Sequence, residues 1–289
     1  MATLTQQQLQ YYYDHYRDSE ITFTKEMTRT LNIDLRQIYI KCDGNQWPCI
    51  INSTSFIRCK IIVGVQGGAY EMLSKGENVS VSVRFCFINT DRQPVPFFVN
   101  GRVQEIKSYM DSQELAIITI EFTQRPADDL IEKLGAIFDA SLNAERRKEE
   151  RIVLNPGVKR KLGLEKKEMV ILVQGVPRHC ILRDLSFSGT KVIMMGIQKF
   201  ILNQTATLQM RFEDPYENIT LEGTIVDASP LPDRKDLCTV AIRFTEEKIP
   251  IRYKIRINNF LTSVKKSMLT PAGNESAQPA VSETSLPEI

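Results

Sequence analysis

Residues 38–63, IYIKCDGNQWPCIINSTSFIRCKIIV, align without a gap on residues 169–194, MVILVQGVPRHCILRDLSFSGTKVIM, and this self-similarity constrains the fold more than any other feature of the chain. The match superposes Gly44 on Gly175, Cys49 on Cys180, Ser55 on Ser186, Phe56 on Phe187 and Lys60 on Lys191. Further on, VRF at 83–85 meets MRF at 210–212, Gly101 meets Gly223, and Phe122-Thr123 meets Phe244-Thr245, with a helical segment expected after each. The offset shrinks along the chain, as it does when insertions and deletions fall in loops. Strands reuse Val, Ile and Phe at period two, so apolar alternation alone would match loosely. A Gly turn, a Cys and a Ser-Phe pair shared in one ungapped run read as a duplication. A chain of 289 residues exceeds the usual single-domain size, which agrees with two copies.

Each copy predicts short strands separated by turn residues, the pattern of a small antiparallel barrel. In the first, strands are expected near 37–41, 48–52, 59–63, 79–88, 96–106 and 114–122, after helices at 5–18 and 24–31 and with a helical insert at 70–73. In the second they are expected near 170–174, 179–184, 190–195, 205–212, 219–227 and 238–244, followed by a helix over 250–265 carrying Ile255, Ile257, Phe260 and Leu261. Between the copies, Pro126 followed by Asp128 and Asp129 starts a helix. Its stripe of Leu130, Leu134, Ile137, Phe138 and Leu142 packs on the first barrel. After Leu142 comes ERRKEERIVL, a charged run with no apolar face to hold it down, expected as a flexible arm. The expected fold class is mainly β with flanking helices, two tandem six-stranded antiparallel barrels joined by a helix and that arm. The expected domains are 1–142, 143–265 and a disordered tail over 266–289, rich in Pro, Ser, Ala and Glu.

Composition removes several function classes. With 37 Lys+Arg against 35 Asp+Glu the chain is nearly neutral, so charge alone does not suggest coating of a polyanion. No run of eighteen apolar residues and no signal-peptide pattern occurs, which predicts a cytoplasmic protein without membrane insertion. The six cysteines lie mostly in apolar β-type runs with no C-x-x-C pair, as buried hydrophobes in a reducing compartment do. Of the two histidines, His15 and His179, neither has metal-ligand spacing, so no metal or other cofactor is expected. With no nucleophile elbow, triad or P-loop, the chain is not expected to be an enzyme.

Two short motifs carry chemistry. Arg147 and Arg151 form R-x-x-x-R on the charged arm, and Asp184, Ser186 and Gly189 form D-x-S-x-x-G between two β-rich runs. Either alone is common, the first on any basic helix and the second in any turn. In this order they suit a compact dianion carrying guanine edges. A guanidinium fork grips phosphate oxygens or the O6/N7 edge of guanine. A carboxylate accepts from guanine N1 and N2, a hydroxyl adds a polar contact, and glycine admits close backbone approach. The first copy has Ser53 and Arg58 in place of Asp184 and Gly189, so it is not expected to bind in the same way.

On these five residues the second copy resembles the PilZ domains, receptors for cyclic di-GMP in which an R-x-x-x-R arm folds over a six-stranded barrel to meet a D/N-x-S-x-x-G turn. The whole chain, over about residues 20 to 262, further resembles the two-domain spirochaete receptors of this type. That closer match rests on QWPC at 46–49, FTQRPADDLIE at 122–132, RKEERI at 147–152 and ILRDLSFSG at 181–189. The resemblance implies cyclic di-GMP as ligand, Arg147, Arg151, Asp184, Ser186 and Gly189 as its binding residues, and an output in motility, envelope or expression through a flagellar or regulatory protein partner. Arg146, just before the first arginine, is either a third cation favouring an intercalated ligand pair or a solvated helix residue. The alternative is a nucleic-acid-binding or scaffold protein. Lys159-Arg160-Lys161 and Lys166-Lys167 are the basic runs for nucleic acid, and Trp47 beside Pro48 is either a partner-docking residue of the first domain or core.

Overall fold

The computed structural model describes residues 4–76, 78–89, 91–165, 169–213, 216–232 and 234–269. Lys166 and Lys167, and the tail from residue 270 onward, lie outside them. The first half runs α1 (Gln6–His15), β1 (Ile21–Thr22), α2 (Lys25–Leu31), β2 (Tyr39–Cys42), β3 (Asn45–Pro48), β4 (Ile50–Thr54), β5 (Arg58–Gly64), α3 (Gly68–Leu73), β6 (Ser80–Ile88), β7 (Pro94–Ser108) and β8 (Leu115–Phe122). Helix α4 (Asp128–Arg146) then leads to β9 (Ile152–Val153), α5 (Pro156–Leu162), β10 (Met169–Val173), β11 (Val176–Leu185), β12 (Gly189–Met195), α6 (Gln198–Ile201), β13 (Thr205–Glu213), β14 (Tyr216–Leu231), β15 (Arg234–Phe244) and α7 (Ile251–Leu269). Helix α7 thus extends past residue 265, into the first positions of the expected tail.

The second half closes. Its sheet order is β10-β13-β14-β15-β12-β11-β9, and an extra β10–β11 pairing joins the ends into a six-stranded antiparallel barrel with β9 added outside. The first half is an eight-stranded sheet, β1-β4-β5-β8-β7-β6-β2-β3, on the same circuit with one break. The strand equivalent to β11 is split there into β3 and β4. Pro48, opposite Tyr39, stands where the second copy has His179 opposite Val170. Proline cannot donate to the ladder, and β3 ends on it.

Duplication is visible in the irregularities as much as in the strands. Both leading hairpins turn on two residues of positive φ, Asp43-Gly44 and Gln174-Gly175, the conformation that matches strand twist in a two-residue loop. Register shifts fall at Ile51/Ser53 and at Leu182/Asp184, and again at Val103/Glu105 and Ile225/Asp227. Helix α5 is too short to carry an apolar period, so its sequence signals are its caps: Asn155 accepting from Val158 N–H, Pro156 in the first turn and Gly163 left-handed at the end. Its counterpart α2 has Thr24 and Asn32 in the same places.

The described residues form two cores, and helices α4 and α7 serve both. Leu130, Leu134 and Ile137 of α4 are buried in the first core, each contributing roughly 1.5–3 kcal/mol on burial. Ala144, near the end of α4, is buried in the second core, and Ile251, opening α7, in the first. Trp47 is partly buried and packs on the first core, where a Cβ at Gly68 would come within 2.9 Å of its indole nitrogen. All six cysteines are reduced and buried, and burial pushes the Cys49 thiol up to about 12. No helix among the described residues is long and apolar enough to cross a membrane.

Candidate ligand-binding site

Residues 184–189 form a turn that its own serine holds. Ser186 N–H donates to the Gly189 carbonyl at 2.8 Å, and Gly189 N–H donates back to Ser186 Oγ at 3.1 Å. Ser186 is wholly buried, and beneath it Tyr253 of α7 donates its hydroxyl to the Ser186 carbonyl at 2.6 Å. Phe187 turns inward, 2% exposed, and anchors the turn in the barrel core. Gly189 has a packing reason. A Cβ there would lie 2.3 Å from the Ile242 carbonyl oxygen of β15, backbone that cannot step aside.

The register shift after Leu182 turns Asp184 onto the barrel rim, where it is 8% exposed. Its Oδ1 accepts from Arg151 Nη1 at 2.8 Å and from the Lys191 backbone N–H at 2.9 Å. Arg151 gets there because β9 pairs with β11, Val153 opposite Asp184 and Ile152 opposite Leu185. Arg147 caps α4 through its backbone N–H to Asn143 O. Its Nε is 3.9 Å from Glu150 Oε2, and its Nη1 is buried with no hydrogen-bond partner among the described residues. A buried, unpaired N–H of this kind costs about 1–3 kcal/mol or more.

The arm is held by polar ties where an apolar stripe is lacking. Ser188 donates a bifurcated hydrogen bond to the Lys148 carbonyl and a Glu149 carboxylate oxygen, each at 3.0 Å. Lys148 pairs with Glu246 at 2.6 Å. Motif spacing did not single out Ser188 or Tyr253. Ser188 occupies a variable position of the turn motif, and Tyr253 reaches the turn from a distant helix. Burial raises the Tyr253 hydroxyl pKa, and the negative charge of Asp184 raises it further. Of the motif residues, Arg151 and Asp184 meet directly, Ser186 and Gly189 shape the turn between strands, and Arg146 is exposed at the end of α4.

The first half builds the same turn with other chemistry. Ser55 N–H donates to the Arg58 carbonyl at 2.8 Å, Arg58 N–H donates to Ser55 Oγ at 3.1 Å, and Phe56 is wholly buried. Pairing of β1 with β4, Ile21 opposite Thr54 and Thr22 opposite Ser53, repeats that of β9 with β11. Glu20 therefore stands where Arg151 does, and Tyr16, capping α1, stands where Arg147 caps α4. Glu20 accepts from Ser53 and from Lys60 Nζ at 2.9 Å. Burial opposes ionisation of Glu20, but these two donors outweigh it and hold its pKa below the ordinary value. Tyr16 is 4% exposed and donates to Asp139 Oδ1 at 3.0 Å. Arg58 points outward, its guanidinium 3.9 Å from Asp18.

A closed antiparallel barrel whose rim carries an arginine arm docked on a serine-held turn is the architecture of a PilZ domain. Residues 145–263 match the PilZ domain model and residues 7–141 the PilZN3 domain model. The chain is 41% identical over 268 residues to the "Cyclic di-GMP binding protein" of Treponema denticola, covering 92% of this chain and 85% of that protein. It belongs to this family of PilZ proteins with a PilZN3 domain in front. Among solved structures, the Borreliella burgdorferi PlzA protein in complex with c-di-GMP aligns at TM-score 0.40 and 24% identity, over 89% of this chain and 99% of that one. The Bacillus subtilis inhibitor of motility (MotI/DgrA) aligns at TM-score 0.30 and 10% identity, over 82% and 100%.

Proposed function

We propose that this chain is a cyclic di-GMP receptor that binds the dinucleotide at the second barrel, between the arm at 147–151 and the turn at 184–189. The observation that carries the reading is the buried Nη1 of Arg147, without a hydrogen-bond partner among the described residues, beside the ion pair of Arg151 with Asp184. Guanine offers acceptors at O6 and N7 and donors at N1 and N2. One base can therefore replace the ion pair with two charge-assisted contacts, donating to Asp184 and accepting from an arginine. The phosphates supply acceptors for the remaining guanidinium N–H groups. Membership of the PilZ family and the named activity of the Treponema relative support the same ligand.

The proposed output is a change in how the two domains sit. Tyr253 hangs from the ligand turn, and its neighbours on α7 hold the first domain. Glu26 of α2 accepts from Ile251 N–H at 2.8 Å, and Arg252 donates to the Arg29 carbonyl at 2.6 Å. Further along, Asn258 donates to Asp139 and accepts from Asn143. A ligand that binds one arrangement of arm and turn better than another shifts this interface by that difference in affinity. A protein partner in motility or expression control would read the shift.

Isothermal titration with cyclic di-GMP, with GTP and cyclic di-AMP as controls, tests the reading. Saturable binding of cyclic di-GMP alone is expected, and Arg147→Ala and Arg151→Ala should each weaken it by about 1–3 kcal/mol. Wild-type affinity in both variants would overturn the site.

A further inference from the structure

The basic run Lys159-Arg160-Lys161, which the arm-and-turn site leaves unused, ends α5 at the junction of the two domains. There its Arg160 and Lys161 line a cavity of about 660 Å³ between the end of α2, the end of α5 and one face of α7. Arg160 and Lys161 come from α5, Arg252 and Arg256 from α7, and among the described lining residues the one carboxylate is Glu217 of β14. Basic residues at the end of α5 would be unremarkable alone, since they complement helix carbonyls. Here two arginines of another helix converge on the same space.

Glu217 fixes both α7 arginines. Its Oε1 accepts from Arg252 Nη1 at 2.9 Å and its Oε2 from Arg256 Nε at 3.2 Å. Arg256 also stacks on Phe212, guanidinium carbon 4.3 Å from the ring centre. Ordering of this kind lowers the entropy cost of gripping a ligand. Arg160 and Lys161 are exposed, and neither has a carboxylate within ion-pair range among the described residues. Phe260 adds an aromatic wall, and Tyr216, 72% exposed, an aromatic rim.

We propose that this interdomain cleft is a second ligand site, taking one small phosphorylated compound of nucleoside di- or triphosphate size. The cavity falls in the range of small-molecule pockets, roughly 300–1,000 Å³. Its cations suit phosphoryl oxygens, and its aromatic groups suit a base. A ligand here would touch α2 of the first domain and α5 and α7 of the second, so it would join the two halves.

The test is calorimetric titration of the full chain with ATP, in the absence and in the presence of saturating cyclic di-GMP. One ATP per chain, retained when cyclic di-GMP is present, is the expected result. The exposed pair variant R160E/K161E should bind ATP at least about tenfold more weakly, and Asn259→Trp, which fills the cleft from its exposed rim without changing charge, should do the same. Both variants should keep the wild-type response to cyclic di-GMP, which verifies that they fold. No saturable ATP binding, displacement of ATP by cyclic di-GMP, or wild-type ATP affinity in both variants would each overturn the proposal. So would preferential, steeply salt-dependent binding of a short single-stranded oligonucleotide, which would make the cleft part of a nucleic-acid surface. Because cyclic di-GMP is titrated separately, failure of either site shows on its own.

Discussion

The turns at 53–58 and 184–189 share a backbone, a buried serine that holds it, a buried phenylalanine and a register shift just before it, yet they present opposite chemistry. In the second domain an arginine from the flanking arm meets an aspartate; in the first a glutamate meets a serine and a lysine. The comparison separates what the fold needs from what a ligand needs. Ser186 and Phe187 have working counterparts in Ser55 and Phe56, so their first duty is to shape the turn. Arg147, Arg151 and Asp184 have none, and on the proposed reading those positions carry recognition. Gly189 is a third case. Its neighbour is the Ile242 carbonyl, whereas Arg58 sits on an outward-facing position that accepts a long side chain.

Transplanting the first domain's chemistry breaks the comparison most directly. Arg151→Glu, which copies Glu20, should cost about 3–5 kcal/mol of cyclic di-GMP binding by leaving two carboxylates in the site. Titration calorimetry reads the loss, and binding within threefold of wild type would mean that the arm does not contact ligand. Gly189→Ala should destabilise the second domain by roughly 1–3 kcal/mol through its clash with β15. Arg58→Gly should change stability in denaturant by only a few tenths of that. Equal effects at the two positions would show that the turns are packed alike.

Smaller changes sharpen the contrast. Tyr253→Phe leaves the Ser186 carbonyl without its buried donor, and urea unfolding should report a loss of about 1–2 kcal/mol. If α7 transmits binding to the interface, the same variant keeps its ligand but shows a reduced change in interdomain distance by scattering or spin labels. Glu20 should give the smallest effect. Its lowered pKa means that the ionised form stabilises the fold, fully above its ordinary value and progressively less as pH falls through the lowered one. Being about one-third exposed, it is worth no more than about 0.5 kcal/mol. Comparing Glu20→Gln with wild type between pH 6 and pH 3 should show that difference vanish on the acid side.

The duplicated strand plan, both hairpin turns, the apolar stripe of α4 and the five motif residues were legible in the linear chain. Each is written as spacing: period two in strands, three and four in the helix, and fixed offsets in the turn and arm. Spacing also exposed the first copy's loss of the aspartate and glycine. It could not pair Tyr16 and Glu20 with Arg147 and Arg151, because the alignable run begins only at residue 38. That equivalence came from β1 and β9 docking on β4 and β11 in the same register. Tertiary structure alone brought Tyr253 beneath the turn, closed Ser188 onto the arm and set Arg252 against α2. These contacts join side chains far apart in sequence whose local patterns carry no mark of their partners, so they are decided when the helices pack on the sheets.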